Sequence, residues 1–288
     1  MKQLAVISGK GGTGKTTVTA AFAALARNAV VADCDVDAAD LHLILNPTIE
    51  AEQPFHGVRL AQVDQELCTG CGECLEHCRF AAITADFSIV RDRCEGCGVC
   101  ELVCPAGAIA MVERVSGVAY TSTTRFGPMA HAALGIGEEA SGLLTTLVRR
   151  NAVDLASRHD RDLVIIDGPP GIGCPAIAAI TGVDLVLVVT EPTVSGMHDL
   201  DRVLAMVQHF GIPAAVAVNK SDINPENAAR ILTMCQDRVV PVVGILPYDE
   251  SVTRAMIEGR TLPESSSTGL AAEVTSMWSR LERMLVDG

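Results

Sequence analysis

Short apolar runs alternate with longer periodic stretches along most of the chain. Apolar or β-branched runs, which predict strands buried in a sheet, lie at 4–7, 29–32, 117–126, 162–167, 184–190 and 214–219. Alanine-rich or amphipathic stretches, which predict the intervening helices, lie at 18–27, 143–158, 195–210 and 270–286. This alternation predicts an α/β fold with a mostly parallel sheet flanked by helices.

The alternation stops between residues 47 and 113. Residues 47–57 are polar and contain proline, which predicts a connection between domains. Residues 58–113 hold most of the cysteines in an internal repeat, which marks a separate module. The predicted organisation is one larger domain, formed by 1–57 and 114–288, that is interrupted by a small inserted domain at 58–113.

A glycine-rich loop joins the first predicted strand to the first predicted helix. Its sequence, G-K-G-G-T-G-K-T-T, fits the phosphate-binding pattern G-x-x-x-x-G-K-[ST] in the required strand–loop–helix context. Backbone N–H groups and the helix N-terminus would converge on a phosphate, while Lys15 would reach the β and γ phosphates and Thr16 would hold Mg²⁺. The predicted nucleotide-binding residues of this loop are Gly9, Lys10, Gly11, Gly12, Thr13, Gly14, Lys15, Thr16 and Thr17.

The additional lysine at position 10 gives the loop the sequence K-G-G-T-G-K-T-T. This sequence resembles the deviant Walker A motif of the MinD/ParA/Mrp class of P-loop ATPases. The resemblance implies that Lys10 crosses a dimer interface and contacts phosphates bound to the other subunit, so that ATP is held between two copies of the chain. From the sequence alone, Lys10 could also be a solvated loop lysine.

Carboxylates follow two of the predicted strands. Asp35 comes after the second strand and Asp167 after the strand at 162–167, and such positions border the ligand crevice of a parallel sheet. By resemblance, Asp35 is the switch I aspartate that orients water near Mg²⁺, and Asp167 is the Walker B aspartate that holds Mg²⁺ through water. Asp33, Asp37 and Asp40 are nearby and could cap or solvate a turn.

The resemblance also extends to the base and to catalysis. Asn219 resembles the asparagine that recognises adenine, since its amide can both donate and accept a hydrogen bond, and Pro247 and Asp249 match the loop that walls the base. The implied catalytic residues are Lys10, Lys15 and Asp35. The implied magnesium residues are Thr16, Asp35 and Asp167.

Eight of the eleven cysteines lie in two copies of C-x-G-C-G-x-C-x-x-x-C that start 26 residues apart. This spacing is typical of bacterial two-cluster ferredoxins, in which the fourth cysteine of each run binds the other cluster. One [4Fe-4S] cluster would therefore be held by Cys68, Cys71, Cys74 and Cys104. The second would be held by Cys78, Cys94, Cys97 and Cys100. Two zinc sites are the alternative, although four-cysteine zinc sites usually come as separated pairs, so the insert is predicted to be a small α+β ferredoxin-like domain.

Composition limits the possible partners and the location. The formal net charge of −13 argues against binding to nucleic acid or to an anionic membrane surface. No apolar run reaches the length of a membrane span, and the phosphate-binding loop begins too early to leave room for a signal peptide. The expected location is the cytoplasm, where clustered cysteines more often bind metal than form disulfides.

With both motifs in hand, the chain resembles a MinD-type ATPase with an inserted ferredoxin domain. The resemblance implies a Mg²⁺-dependent ATPase, a homodimer that forms with ATP, and electron transfer through two [4Fe-4S] clusters to a redox or maturation partner. A cluster-maturation ATPase of Mrp type and a positioning ATPase of MinD/ParA type are the alternatives. Complete sets of four thiolates favour retention of the clusters and hence electron transfer.

Three residues outside these motifs have side chains that could act in catalysis or bind a metal group. Glu138 and Glu139 are left unassigned, because a charged helix N-terminus would explain them. Cys174 lies just after Asp167, where the related nitrogenase iron protein has a cluster ligand. With too few cysteines outside the insert for a shared third cluster, Cys174 is predicted to be a small buried residue in a turn.

Overall fold

A computed structural model of the chain describes residues 1–135 and 141–287, and Glu138 and Glu139 therefore lie outside the described residues. The described chain forms two compact units. The larger unit contains 1–52, 119–133 and 141–287, and the smaller unit contains 53–118 with 134–135.

In chain order, the described residues form the strands β1 (Lys2–Ser8), β2 (Ala29–Asp33), β3 (Thr48–His56), β4 (Leu60–Val63), β5 (Ile109–Val112), β6 (Val115–Thr124), β7 (Gly127–Leu134), β8 (Leu163–Pro170), β9 (Leu185–Thr190), β10 (Ala214–Val218) and β11 (Val242–Ile245). The main sheet has the order β11-β10-β9-β1-β8-β2-β7-β6-β3. From β11 to β7 every neighbouring pair is parallel, which confirms the predicted α/β fold.

The strand register brings acidic side chains together. β2 and β8 pair with Asp33 opposite Asp167, and β1 pairs with β8 with Val6 opposite Asp167. The carboxyl ends of these central strands therefore lie level with one another, at the edge where parallel sheets bind ligands.

The helices are α1 (Lys15–Leu25), α2 (Leu41–Leu45), α3 (Glu73–His77), α4 (Val99–Val103), α5 (Ser141–Arg158), α6 (Cys174–Ile180), α7 (Val194–His209), α8 (Pro225–Asp237), α9 (Glu250–Ile257), α10 (Leu262–Ser265) and α11 (Leu270–Asp287). The core of the larger unit lies between the sheet and helices that include α1 and α11. The rings of Phe22 and Trp278 lie 5.0 Å apart there, together with the buried strand residues Leu4 and Leu187. Such burial of apolar surface is the main stabilising contribution to this layer.

Several strands differ from the sequence prediction, and β11 (Val242–Ile245) is among those it missed. Residues 48–56 form β3 rather than an irregular connection, and eight of its nine residues are exposed, with Phe55 buried. Because β3 is the last strand of the sheet, its outer side needs no partner and tolerates Pro54. The prediction also missed β7, whose glycine, proline and alanine residues have low strand propensity although most of the strand is buried.

The smaller unit consists of the antiparallel pair β4–β5, the short helices α3 and α4, and a single turn of 3₁₀ helix at Arg91–Arg93. Its small apolar core contains Ala61, Cys74, Ile83 and Ile109. The unit begins at residue 53 within β3 and extends to 118 within β6. These limits are wider than the predicted 58–113.

None of the described helices is both long enough and apolar enough to span a bilayer.

Candidate functional site

The phosphate-binding loop connects the end of β1 to the start of α1. Gly12 and Gly14 have φ values of 78° and 92°, a region that favours glycine. A Cβ on Gly14 would lie 2.4 Å from Nδ2 of Asn219, so close packing requires glycine there as well. α1 begins at Lys15 without a side-chain cap, and its first N–H groups are available to an anion.

The Lys15 ammonium lies between two carboxylates. Its Nζ is 3.3 Å from Oδ2 of Asp35 and 3.4 Å from Oδ1 of Asp167, and all three residues are buried. Thr19 Oγ1 donates a 3.0 Å hydrogen bond to the same oxygen of Asp167. Lys15 therefore supplies the positive charge that a buried acidic cluster needs.

Burial and the neighbouring charges shift the pKa values of Lys15, Asp33 and Asp35. Burial opposes the charge of Lys15, but Asp167 and Asp35 outweigh it and raise the pKa of Lys15. Burial, together with the charge of Asp167, raises the pKa of Asp33 well above its usual value. Burial also raises the pKa of Asp35, and Lys15 partly offsets that rise. The site has more negative than positive groups and would gain from an added cation.

Asp33 positions the segment that follows β2. Its Oδ1 accepts a hydrogen bond from the Asp35 N–H at 3.3 Å, and its Oδ2 accepts one from the Leu41 N–H at 3.2 Å. Asp33 therefore links Asp35 to the start of α2. The sequence allowed Asp33 to cap a turn, and the structure specifies the two backbone N–H groups that it binds.

The residues around Lys15 fit a magnesium ion and the phosphates of a nucleotide. A cleft of about 1130 Å³ is lined by residues 11–17, Asp35 and Pro169. Oδ2 of Asp167 is buried without a hydrogen-bond partner. An unpartnered anionic oxygen is costly to bury, and oxygen ligands that leave room for water suit Mg²⁺.

A second cleft, of about 870 Å³, shares Gly12, Gly14 and Thr17 with the first. Its other lining residues are Val18, Ala21, Asn219, Lys220, Leu246, Pro247, Tyr248, Asp249, Val252, Thr253, Leu262, Leu270 and Val274. An apolar cleft with a few polar groups beside a phosphate site suits a nucleotide base.

The polar residues at this second cleft have partners within the chain. Nδ2 of Asn219 donates to the carbonyl of Thr13 at 2.8 Å, which fastens the residue to the phosphate-binding loop. The carboxylate of Asp249 caps α9 by accepting a hydrogen bond from the Ser251 N–H. Asp249 therefore has a structural role in addition to its place at the cleft.

Lys10 points to a different part of the larger unit. It lines neither cleft, and its Nζ lies 2.6 Å from Oε1 of Glu191. The structure thus brings together the other charged residues predicted for the phosphates, Lys15, Asp35 and Asp167, and holds Lys10 apart from them.

Two cavities in the smaller unit separate the eight clustered cysteines into two sets of four. The lining of one includes Cys68, Cys71, Cys74 and Cys104. The lining of the other includes Cys78, Cys94, Cys97 and Cys100. These sets coincide with the two quartets expected from the ferredoxin-like spacing, including the exchange of the fourth cysteine between the repeats. None of the eight forms a disulfide bond.

The backbone around the two cavities follows the repeat. Gly72 and Gly98 have φ values of 84° and 74° and precede α3 and α4. The Ala82 N–H donates to Sγ of Cys78 at 3.4 Å. The equivalent Ala108 N–H donates to Sγ of Cys104 at 3.3 Å. N–H donors of this kind stabilise negative charge on sulfur, as a metal-bound thiolate requires.

No group of three or more His, Cys, Asp or Glu side chains in the described residues is arranged to hold a single metal ion. A [4Fe-4S] cluster needs a different arrangement of ligands, because each of its four irons binds one thiolate. The four cysteine sulfur atoms therefore surround the cluster and do not converge on a single ion. The four-cysteine cavities fit that arrangement.

A comparison with known proteins decides the family. The profile of the CobQ/CobB/MinD/ParA nucleotide-binding domain matches residues 4–262. The chain belongs to this family. Membership identifies it as a nucleotide-binding P-loop ATPase of MinD/ParA type, in agreement with the loop and the cleft.

Relatives of this MinD/ParA-type chain differ in how much is known of them. An uncharacterized protein of Methanocaldococcus jannaschii is 31% identical over 98% of this chain and 97% of its own length. The septum site-determining protein MinD of Buchnera aphidicola is 26% identical over 90% of this chain and 83% of its own length. Neither name refers to iron or sulfur. These matches therefore bear on the nucleotide-binding domain and not on the role of the cysteines.

A solved structure shows the same fold. The septum site-determining protein MinD of Pyrococcus horikoshii, complexed with Mg-ADP, has a TM-score of 0.59 and 16% identity to this chain, with coverage of 98% of this chain and 96% of the other. At this level of identity the likeness establishes the MinD-like fold and nothing finer.

The remaining cysteines of this MinD/ParA-type chain lie outside the cavities. Cys174 is exposed at the first residue of α6, so the prediction of a buried turn residue is wrong. The short connection after β8 leads directly into α6. Cys34 and Cys235 are buried.

Sequence reasoning missed two charged residues that contact the phosphate-binding loop. Glu191 follows β9, and Lys220 follows β10 and donates to the Gly12 carbonyl at 2.9 Å. The rule that selected Asp35 and Asp167, namely a charged residue directly after a parallel strand, would also have selected Glu191.

Proposed function

We propose that this chain is a Mg²⁺-dependent ATPase whose ATP-bound homodimer controls electron transfer through two [4Fe-4S] clusters held by its inserted ferredoxin-like domain. The observation that carries the iron–sulfur part is the division of eight cysteines into two cavities of four. The observation that supports the nucleotide part is the buried lysine–carboxylate cluster beneath the phosphate-binding loop.

In the nucleotide half, catalysis requires positioning and neutralisation of charge rather than a covalent step. Lys15 is the residue that would bind the β and γ phosphates, and Asp35 would orient the attacking water. A bound Mg²⁺, held through Thr16, Asp35 and Asp167, would supply positive charge to the phosphates and the acidic cluster. Lys15 would then be free to exchange its contacts with the carboxylates for contacts with phosphate.

Lys10 completes the nucleotide site from a second copy in this proposal. Within one chain it is bound to Glu191 and does not line the cleft. A lysine that is held away from its own phosphate site is consistent with a role at the phosphates of a partner subunit. Hydrolysis would then depend on self-association.

In the inserted domain, cysteine thiolates would hold the two clusters, and backbone N–H groups would adjust their reduction potentials. The cysteine sets are Cys68, Cys71, Cys74 and Cys104 for one cluster and Cys78, Cys94, Cys97 and Cys100 for the other. Four protein thiolates for each cluster favour retention, and clusters of this kind supply one-electron transfer. Amide donors at Cys78 and Cys104 would stabilise the reduced, more negative state.

The coupling between the two activities requires only a difference in affinity. If the nucleotide binds one arrangement of the dimer more tightly than another, it shifts the population towards that arrangement. Hydrolysis would then reset the equilibrium.

Anaerobic purification followed by analysis for iron, sulfide and redox potential tests the proposal. We expect about eight iron atoms and a similar amount of sulfide per chain, and a cluster potential or a rate of reduction that changes when ATP and Mg²⁺ are added. Protein that contains no inorganic sulfide would overturn the iron–sulfur part. Potentials and rates that do not respond to ATP would overturn the gating part.

Two other functions remain as alternatives. Release of iron and sulfide to an apo-acceptor would favour a cluster-maturation ATPase. The similarity to septum site-determining MinD favours a positioning ATPase, and that function would be supported if the protein contained no iron yet hydrolysed ATP as a dimer.

A further inference from the structure

The ammonium group of Lys10 is saturated by acceptors from its own chain. Its Nζ lies 2.6 Å from Oε1 of Glu191 and 3.2 Å from the hydroxyl oxygens of both Thr193 and Ser195. A lysine ammonium has three N–H donors. The three acceptors, named here the lysine seat, therefore leave Lys10 with no free donor for a phosphate.

The carboxylate of the lysine seat is itself held in place. Glu191 is mostly buried, and its second oxygen, Oε2, accepts a hydrogen bond from Lys220 Nζ at 3.2 Å. Burial would raise the pKa of Glu191, but the hydrogen bonds from Lys10 and Lys220 outweigh it and lower the pKa. Glu191 is thus a charged, well-positioned acceptor rather than a mobile surface group.

The backbone around the lysine seat is also tightly built. Thr193 caps α7 by accepting a hydrogen bond from the Gly196 N–H at 3.0 Å. A Cβ on Gly196 would lie 2.3 Å from the carbonyl oxygen of Glu191, so the turn is possible only with glycine at that position. On the opposite side, a Cβ on Gly9 would lie 2.4 Å from Cβ of Asp199, which shows how closely the phosphate-binding loop approaches α7.

From these contacts we infer that the lysine seat restrains self-association by holding Lys10 inside its own subunit until a second copy carrying a bound nucleoside triphosphate competes for it. The inference rests on the proposed ATP-dependent dimer and adds to it a residue set that controls when the dimer forms. Glu191 is a positioning residue in this scheme, because it acts through Lys10 and not on the nucleotide.

Formation of the dimer requires Lys10 to exchange its binding partners. To reach a phosphate on another subunit, Lys10 must give up a charged contact with Glu191 and two contacts with hydroxyl groups. The new contact with phosphate must exceed that loss, so a weaker lysine seat lowers the protein concentration at which the dimer forms. A partly buried charged contact of this kind corresponds to a change of about fivefold in an equilibrium constant.

Sedimentation velocity at several protein concentrations, with Mg²⁺ and a non-hydrolysable ATP analogue, tests the restraint. For Glu191→Gln we expect the concentration of half-maximal dimer to fall about fivefold relative to the unaltered chain. Ser195→Ala removes one neutral acceptor and should lower it by a smaller factor. Glu226→Gln is the matched control, because it makes the same change at an exposed glutamate that pairs with Arg230 and leaves the three acceptors of Lys10 in place.

An unchanged or higher concentration for Glu191→Gln, or an equal fall for Glu226→Gln, would overturn the restraint. If the unaltered chain does not dimerise with the analogue, the proposed dimer itself fails.

Amine labelling separates those two failures, because it needs no dimer. In the nucleotide-free protein at low concentration, an acylating reagent followed by mass spectrometry should label Lys10 several-fold faster in Glu191→Gln than in the unaltered chain. Lys2, which pairs with Asp184 at the surface, serves as the internal reference. Equal labelling of Lys10 in both proteins would show that the lysine seat does not hold it.

Discussion

The two units of this chain organise their candidate sites in opposite ways. In the larger unit, Lys15 already pairs with Asp35 and Asp167, and a core that includes Phe22 and Trp278 supports the strands that carry the acids. In the smaller unit, the candidate sites are cavities, and a small apolar core lies between them with several of the cysteines at its margin.

The difference indicates which unit depends on its ligand. The larger unit satisfies much of its buried charge with its own lysine, so it should fold before it binds nucleotide. The smaller unit buries little apolar surface of its own, and small domains of this type commonly need a metal group for stability. We therefore expect the larger unit to fold and then bind, and the smaller unit to bind in order to fold.

The largest effect is expected from the lysine at the centre of the larger unit. Lys15→Ala removes the cation that faces the phosphates and the acidic cluster, and ATP turnover should fall by about 100-fold or more. Iron content should not change, because the cysteine cavities are in the other unit. Lys2→Ala, at a surface ion pair, is the control. Turnover within about threefold of normal would contradict the role of Lys15.

Removal of iron should affect the smaller unit alone. After anaerobic treatment with a chelator, protease cleavage within residues 53–118 should become about tenfold faster or more, because the cavities lose the group that holds their walls together. Cleavage in 141–287 is the internal reference and should not change, with or without nucleotide. Equal protection of both units from the protease after iron loss would contradict the expectation that only the smaller unit depends on iron for its stability.

Single cysteine replacements should separate the two cavities. Cys71→Ser and Cys97→Ser each remove one ligand from a different set, so each variant should lose about half of the iron and of the visible absorbance. Nucleotide binding should be retained. Cys174→Ser is the matched control, since Cys174 is exposed and lies outside both cavities. Full absorbance in both ligand variants would rule out the proposed sets.

A smaller effect, on stability alone, is expected from His131 in the larger unit. Its ring stacks on Tyr120, and its Nε2 lies 2.8 Å from Oγ of Ser122. Burial, helped slightly by His42, lowers the pKa of His131 to about 4.

The sign of the pH dependence follows from that shift. Between about pH 6.5, the usual histidine pKa, and about pH 4, this histidine is protonated in the unfolded chain and neutral in the folded chain. The free energy of unfolding therefore falls as the pH is lowered through this range, by up to about 1.4 kcal/mol for each pH unit. Urea unfolding of the larger unit between pH 7 and pH 5 measures this slope, and His131→Asn should reduce it. An equal slope in the variant would assign the effect to other groups.

Much of the fold and of the candidate sites could be predicted from local sequence motifs. The loop at 9–17 and the cysteine repeats each depend on residues close together in sequence, and the cavities group the cysteines as the spacing suggested. The mostly parallel sheet followed from its apolar runs and is confirmed.

Features that depend on tertiary contacts were not predictable in the same way. β3 is exposed and polar, so its strand conformation comes from its edge position and not from its own pattern. The contacts of Glu191 with Lys10 and Lys220 join segments far apart in the chain. The exposure of Cys174 likewise depends on where α6 begins.

The exchange of the fourth cysteine between the repeats has a consequence for biogenesis. The four cysteines that line one cavity lie between Cys78 and Cys100, whereas those that line the other include both Cys68 and Cys104, the outermost pair. During synthesis the inner set of thiols therefore emerges complete before the outer set does, and it closes the shorter loop at lower entropic cost. If the proposed clusters are inserted during synthesis, this nesting favours loading of the inner cysteine set before the outer one.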